Sequence, residues 1–193
     1  MTTTAQTGSR DWQGVTVPNP GTFVIDPAHT RVGFVAKHLM VTKVRGAFGE
    51  VAGSFTVPEN PLEASAQATM KAASLSTGSP DRDAHLHSGD FLDEANYPDV
   101  SYRSTGVSGV SGDRFKVQGE LTIRDVTRPV ELDVEVDGVA GDPWGGERVS
   151  LTARGEIDRG EFGLTWNVAL ESGGVLVSKK VVLEIDAQGV REI

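Results

Sequence analysis

The sequence has no cysteine, few aromatic residues and too few positive charges to balance its acidic ones. Without cysteine the chain has no disulfide framework, no thiolate nucleophile and no cysteine-ligated zinc. Eighteen Lys and Arg residues against 27 Asp and Glu residues give a formal net charge of −9, and the longest basic run is Lys179–Lys180. Because a nucleic-acid groove needs clustered cations to neutralise phosphates, the composition predicts no nucleic-acid partner.

Long apolar runs are lacking as well. No stretch approaches the ~20 apolar residues of a membrane span, and residues 1–13 contain no apolar segment of the signal-peptide type. The chain is therefore predicted to be cytoplasmic and to have no transmembrane segment. Residues 1–20 are polar and end in a Pro- and Gly-rich turn, which predicts a flexible N-terminal lead or surface strap before a single domain at 21–193.

What the sequence does contain is a strong alternation of apolar and polar residues, which indicates strands with one dry face. The alternation is clearest at 115–124, 130–137 and 149–157. Further strands are expected near 31–38, 44–57, 65–72, 99–107 and 180–187. The chain lacks the helical crossovers that a parallel sheet requires, so about eight antiparallel strands are expected. Strands of about twelve residues favour a tall closed barrel, because closure removes long exposed edges.

One segment carries helical signals instead. Ser79 stands at the N-cap, Pro80 follows at the first helical position, and Gly89 lies just past the end. These signals predict a helix at about 80–88, inside a short helical insertion at about 79–97. The predicted fold class is thus all-β: an extended eight-stranded antiparallel barrel with one short helical insertion.

The barrel interior is predicted to hold little bulk, because only 6% of the residues are aromatic and 23 are glycine. Alanines and glycines fall repeatedly on the inward face. Two interpretations stay open: an apolar channel for a long hydrophobic ligand, or small residues that simply oppose large ones on the next strand. The predicted ligand-binding residues are Phe34, Ala36, His38, Phe48, Ala68, Met70, Tyr102, Val117, Leu121, Leu132, Val134, Leu151 and Ala153.

Three longer stretches carry a family resemblance: IDPAHTRVGFVAKHLMVTKVRGAFG (Ile25–Gly49), RDAHLHSGDFLDEANYPDVSYRS (Arg82–Ser104) and GELTIRDVTRPVELDV (Gly119–Val134). Further matches are Ile157, Arg159, Phe162, Gly163 and Leu164. Through them the chain resembles the YceI-like family of lipocalin-like, polyisoprenoid-binding bacterial proteins. The resemblance implies a lipocalin-like barrel whose tunnel holds a long isoprenoid, as a polyprenyl pyrophosphate or the tail of an isoprenoid quinone. The predicted function is binding, storage or transport of that lipid.

The four histidines leave alternatives open. His29 and His38 could donate hydrogen bonds to a ligand head group or serve as structural residues. His38 is the acid or base of the alternative function, an enzyme or stress-responsive factor that acts on an isoprenoid or other apolar molecule. His85 and His87 lie two residues apart on the predicted helix, about 200° around its axis, so no shared metal site is predicted.

No nucleophile stands on a strand-to-helix elbow, so no catalytic residue and no enzyme activity are predicted. A third hypothesis is an interaction module that uses the acidic outer face at 131–137 to bind a basic partner. The loops at the barrel edge would also allow a homodimer. No cofactor is expected beyond the lipid ligand itself.

Overall fold

The computed structural model describes residues 8–111 and 114–193 as a chain built almost entirely of strands. The strands are β1 Ser9–Trp12, β2 Val15–Pro18, β3 Gly21–Ile25, β4 Arg31–His38, β5 Thr42–Phe48, β6 Val51–Val57, β7 Ser65–Lys71, β8 Leu75–Ser76, β9 Asp99–Ser111, β10 Arg114–Ile123, β11 Val126–Gly141, β12 Glu147–Asp158 and β13 Lys180–Arg191. The helix is α1 Pro80–His87, and short 3-10 turns lie at Pro27–His29, Pro61–Glu63, Ala72–Ser74 and Arg159–Phe162.

The main sheet closes on itself as a barrel of antiparallel neighbours. β13 pairs with β12 on one side and with both β3 and β4 on the other, which closes the ring. β3 and β4 are two halves of one long strand, interrupted by the turn at Pro27–His29. The pairs β5–β6 and β7–β8 are interrupted in the same way. When each such pair is counted once, the barrel has eight strands, so the predicted fold class is confirmed.

The alternation predicted from the sequence decides which side chains enter the barrel. Along β10, Phe115, Leu121 and Ile123 are buried, whereas Lys116 and Glu120 between them face solvent. The largest apolar cluster runs through the barrel toward the end where Ile123 lies, and a smaller cluster surrounds Phe115 at the opposite end. Apolar side chains therefore fill both ends of the barrel.

Residues 8–20 are ordered as strands, so the flexible lead, one of the two forms predicted for residues 1–20, does not describe them. They form the β1–β2 hairpin, and Val15 and Val17 are buried against Phe115. The Arg10 guanidinium donates to the carbonyl oxygens of Pro58 and Glu59 at 2.9 and 2.7 Å, which attaches the hairpin to the barrel. Val15 and Val17 are only two apolar positions in a polar segment, and so short an alternation does not identify a strand from the sequence. Residues 1–7 lie outside the described part of the chain.

The opposite end of the barrel is covered by the helical insertion and by the segment after β12. The predicted helix is found as α1 Pro80–His87, and Leu92 after it is buried in the main cluster together with Phe162 and Leu164. Within the described residues, no helix is both long and apolar enough to cross a bilayer.

Asp26 stabilises the interruption between β3 and β4. Its carboxylate lies 2.9 Å from His29 Nδ1 and accepts hydrogen bonds from Arg148 Nη1 at 2.7 Å and from the backbone N–H of Ala28 at 3.0 Å. The bonds from His29 and Arg148 lower the pKa of Asp26 to about 2. The ionised carboxylate is therefore favoured in the folded chain.

We expect this carboxylate to make the protein acid-sensitive in a narrow window. Because the folded pKa lies below the ordinary value of 3.8, the stabilisation is complete above that value and is lost as the pH falls toward about 2. In urea unfolding at several pH values, Asp26→Asn should be less stable than the wild type at neutral pH, and the gap should close below about pH 4. The exposed turn residue Asp125 supplies the control, Asp125→Asn, whose gap should stay small throughout. A gap for Asp26→Asn that does not change with pH would contradict this role.

Candidate ligand-binding tunnel

A cavity of about 270 Å³ occupies the interior of the barrel. Its walls reach from Val17 and Phe115 at the hairpin end to Ile123 and Ile157 at the other end. The volume is close to the ~300 Å³ lower limit of ordinary small-molecule sites. The lining residues place this cavity along the barrel axis, and it is called the tunnel below.

The tunnel wall is almost wholly apolar. Val, Leu, Ile, Phe and Ala side chains dominate it, and no described residue that lines it carries a charge. The polar side chains on the wall are neutral: Thr30, Ser54, Thr56, Ser65, Gln67, Tyr102 and Ser104. Because a charge without a partner is very costly in such surroundings, the tunnel suits hydrocarbon and neutral groups.

The small inward residues have two effects, each at different positions. Ala68 and Ala153 line the tunnel and leave its space open. Gly155 instead makes room for a neighbour, because a Cβ there would lie 2.7 Å from Leu132 Cδ2. Gly119 does the same for the ring of Tyr102, which lies against it. These two glycines therefore leave room for large neighbouring side chains, whereas the two alanines leave the tunnel wider.

Tyr102 is the most unusual polar group of the wall. Its hydroxyl is buried and has no hydrogen-bond partner among the described residues. Burial raises the pKa of Tyr102 to about 12, so the hydroxyl stays protonated and able to donate. A buried donor without an acceptor costs about 1–3 kcal/mol. A ligand that places an acceptor oxygen beside Tyr102 would recover that cost.

The structure brings most of the predicted ligand-binding residues to one wall. The ten that line the tunnel are Phe48, Ala68, Met70, Tyr102, Val117, Leu121, Leu132, Val134, Leu151 and Ala153. Phe34 packs against the main apolar cluster but is absent from the tunnel wall. That any of these residues contacts a ligand stays a prediction.

Ala36 and His38 do not reach the tunnel, contrary to the sequence prediction. β4 pairs with β13 only as far as Val35, and beyond it the strand pairs with β5 and bonds to the segment at 177–178 that precedes β13. His38 is exposed and forms a β-bridge with Val177 instead. The alternative function with His38 as acid or base therefore gains no support from the geometry of the tunnel.

The other histidines also lie away from the tunnel wall. His29 is bonded to Asp26, as the structural interpretation expects. His85 Nε2 lies 2.8 Å from a carboxylate oxygen of Asp90, and His87 Nε2 donates to the carbonyl of Leu75 at 2.8 Å. The two helix histidines thus have separate partners.

Sequence reasoning missed parts of the wall on several strands, and two of these parts differ in how visible they were. Leu183, Ile185 and Ala187 of β13 line the tunnel, and their alternation with Glu184 and Asp186 was a usable signal. Val17 and Pro18 also line it, but nothing in their polar, proline-rich segment marks them as interior.

Known proteins are similar to this chain in sequence or in fold. The family model described as "YceI-like domain" matches residues 23–189. Protein YceI of Escherichia coli O157:H7 is 36% identical over 165 residues, which cover 85% of this chain and 83% of that protein. The Campylobacter jejuni YceI crystal structure has a TM-score of 0.70 at 27% identity, over 81% of this chain and 90% of that one.

A third comparison extends to a more distant sequence. A polyisoprenoid-binding domain from Saccharophagus degradans, implicated in plant cell wall breakdown, has a TM-score of 0.62. It is 14% identical and covers 90% of this chain and 100% of its own. At that identity the likeness is one of fold.

Proposed function

The chain belongs to the YceI-like domain family, and from this membership and the uncharged tunnel we propose that it binds a long isoprenoid lipid inside the barrel. The observation that carries the proposal is the apolar wall, which runs from the hairpin end to the opposite end without a charged side chain among the described residues. The polyisoprenoid-binding neighbour is consistent with this ligand class.

Burial of hydrocarbon alone supplies enough energy for useful binding. Ten to fifteen methylene equivalents at about 0.8 kcal/mol each give a gross gain of roughly 8–12 kcal/mol. The loss of ligand freedom subtracts several kcal/mol from this gain. A net affinity in a useful range therefore needs no ion pair, and the proposed role is storage or transport of the lipid rather than chemistry on it.

An isoprenoid quinone fits the tunnel better than a polyprenyl pyrophosphate does. A pyrophosphate carries charges that the wall could not pair, so its head group would have to remain outside. A quinone head is neutral and has carbonyl acceptors, which the Tyr102 hydroxyl could bond within the tunnel. The cytoplasmic location and the homodimer stay predictions.

Identification of the bound molecule tests this function. The gently purified chain is examined by native mass spectrometry and by solvent extraction, and is then offered an isoprenoid quinone and a polyprenyl phosphate separately. We expect a bound or exchangeable isoprenoid, with the quinone preferred. Protein that is repeatedly empty and takes up neither probe would overturn the proposal.

Tyr102→Phe tests the hydrogen bond in the tunnel. The variant keeps the ring and removes only the hydroxyl, so quinone affinity should fall about fivefold, the value of one net hydrogen bond. Affinity for squalene, an isoprenoid hydrocarbon without an acceptor, should stay the same or rise. Equal changes for quinone and squalene would contradict a specific hydrogen bond, and the amount of each molecule extracted per protein over a range of concentrations measures both affinities.

A further inference from the structure

The turn between β4 and β5 presents an apolar tip to solvent. Leu39, Met40 and Val41 are 44%, 50% and 81% exposed. Leu39 and Met40 also adopt left-handed backbone conformations, with φ of +53° and +60°, where Gly or Asn would be easier to accommodate. Val168, 45% exposed, belongs to the adjoining segment, because Leu176 bonds to both Val168 and Leu39 through the backbone.

The lysines of the chain divide into two groups, those with a carboxylate partner and those without one. Lys71, Lys116 and Lys180 each lie within 2.7–2.8 Å of a carboxylate oxygen, from Asp99, Asp133 and Glu156 respectively. The other three are Lys37, Lys43 and Lys179, all exposed. Within the described residues none of these three has a carboxylate within ion-pair distance.

The three lysines without a carboxylate partner all lie beside the apolar tip. Lys37 and Lys43 are cross-strand partners on β4 and β5, immediately before the tip and after it. Ser178, the residue before Lys179, donates its N–H to the carbonyl of Lys37 at 3.0 Å. Residues 27–49 contain no acidic residue, although the whole chain has a net charge of −9. Exposed apolar side chains and unpaired positive charge thus coincide.

We propose that the apolar tip, together with Lys37, Lys43 and Lys179 beside it, docks the protein on the surface of an anionic lipid bilayer. The apolar side chains enter the region between headgroups and acyl chains, and the lysines contact the anionic headgroups. A second copy of the chain is a poorer partner, because a symmetric contact through the tip would bring like charges together. The docking goes beyond the proposed function and does not require an isoprenoid in the tunnel.

Vesicle flotation tests the docking with the full chain and isoprenoid-free lipids. Vesicles of phosphatidylcholine alone are compared with vesicles that also contain phosphatidylglycerol. The wild type should bind the anionic vesicles and be released by salt. Because each lysine near such a surface contributes about fivefold, the triple variant K37Q/K43Q/K179Q should bind roughly a hundredfold more weakly. Leu39→Ser combined with Val41→Ser should lower binding at least tenfold.

Matched controls separate the tip from general surface effects. K71Q/K116Q/K180Q removes the same charge from the three lysines that are paired with carboxylates, and Trp144→Ser removes a side chain that is 85% exposed. Both should bind within about twofold of the wild type. The proposal is overturned by equal losses in the two triple variants, by equal binding to neutral vesicles, or by no binding. It is also overturned if the tip variants abolish only self-association, measured by light scattering without lipid.

Discussion

Ala68→Trp should lower isoprenoid uptake at least tenfold while the barrel stays folded. Ala68 lines the tunnel, and its cross-strand partner is Tyr102, so an indole at this position would project into the space that the ligand needs. The cavity measures only about 270 Å³, and a large ring would remove a substantial part of it. Overpacking of a filled core costs about 1–3 kcal/mol, but a ring that enters open space costs less.

The control for this prediction lies on the neighbouring strand. Ala52 on β6 is exposed and does not line the tunnel, so Ala52→Trp introduces the same ring on the outer face. Uptake is measured as extracted quinone per protein, and the fold is checked by thermal melting followed with circular dichroism. Ala153→Phe blocks the tunnel from β12 and should repeat the loss. Full uptake by both tunnel variants would show that the ligand lies elsewhere.

The barrel could be predicted because its physical signal is repeated along the chain. Each long strand exposes one face to water and buries the other. Apolar and polar residues therefore alternate along segments such as 115–124. The interruptions were not predictable in the same way. At Pro27–His29 the strand turns for three residues and then resumes its pairing with β13, and the hydrogen bonds of Asp26 that hold the turn come from distant residues such as Arg148.

The tunnel wall was predictable where alternation and closure coincide, as at Val117 and Leu121 on β10. It was not predictable where the tunnel ends along a strand. Ala36 and His38 continue the apolar face of β4, but they lie beyond Val35, where pairing with β13 ends, and neither lines the tunnel. An alternating pattern shows which face of a strand a residue lies on. It does not show how far that strand stays paired with its neighbour, because the length of the pairing depends on how the whole sheet closes.

The role of Arg159 is revealed only by the structure. It is 5% exposed, and it donates to the backbone carbonyls of Ser178, Leu164, Trp166 and Val177. Burial lowers the pKa of Arg159, yet these carbonyls stabilise the positive charge. The guanidinium therefore holds the two ends of the segment between β12 and β13 together, close to the buried Phe162 and Leu164.

Arg159→Met should lower the free energy of unfolding by about 3–5 kcal/mol, because it leaves carbonyls that the guanidinium had satisfied without a partner. Methionine retains an apolar stem, so the loss reports the hydrogen bonds rather than packing. The matched control is Arg103→Met on the outer face, where the side chain is 73% exposed, and it should change stability by less than about 0.5 kcal/mol. Urea unfolding measures both variants. Amide exchange at Leu164 and Ser178 shows whether the segment opens before the barrel does, and equal stability of the two variants would mean that the carbonyls find other donors.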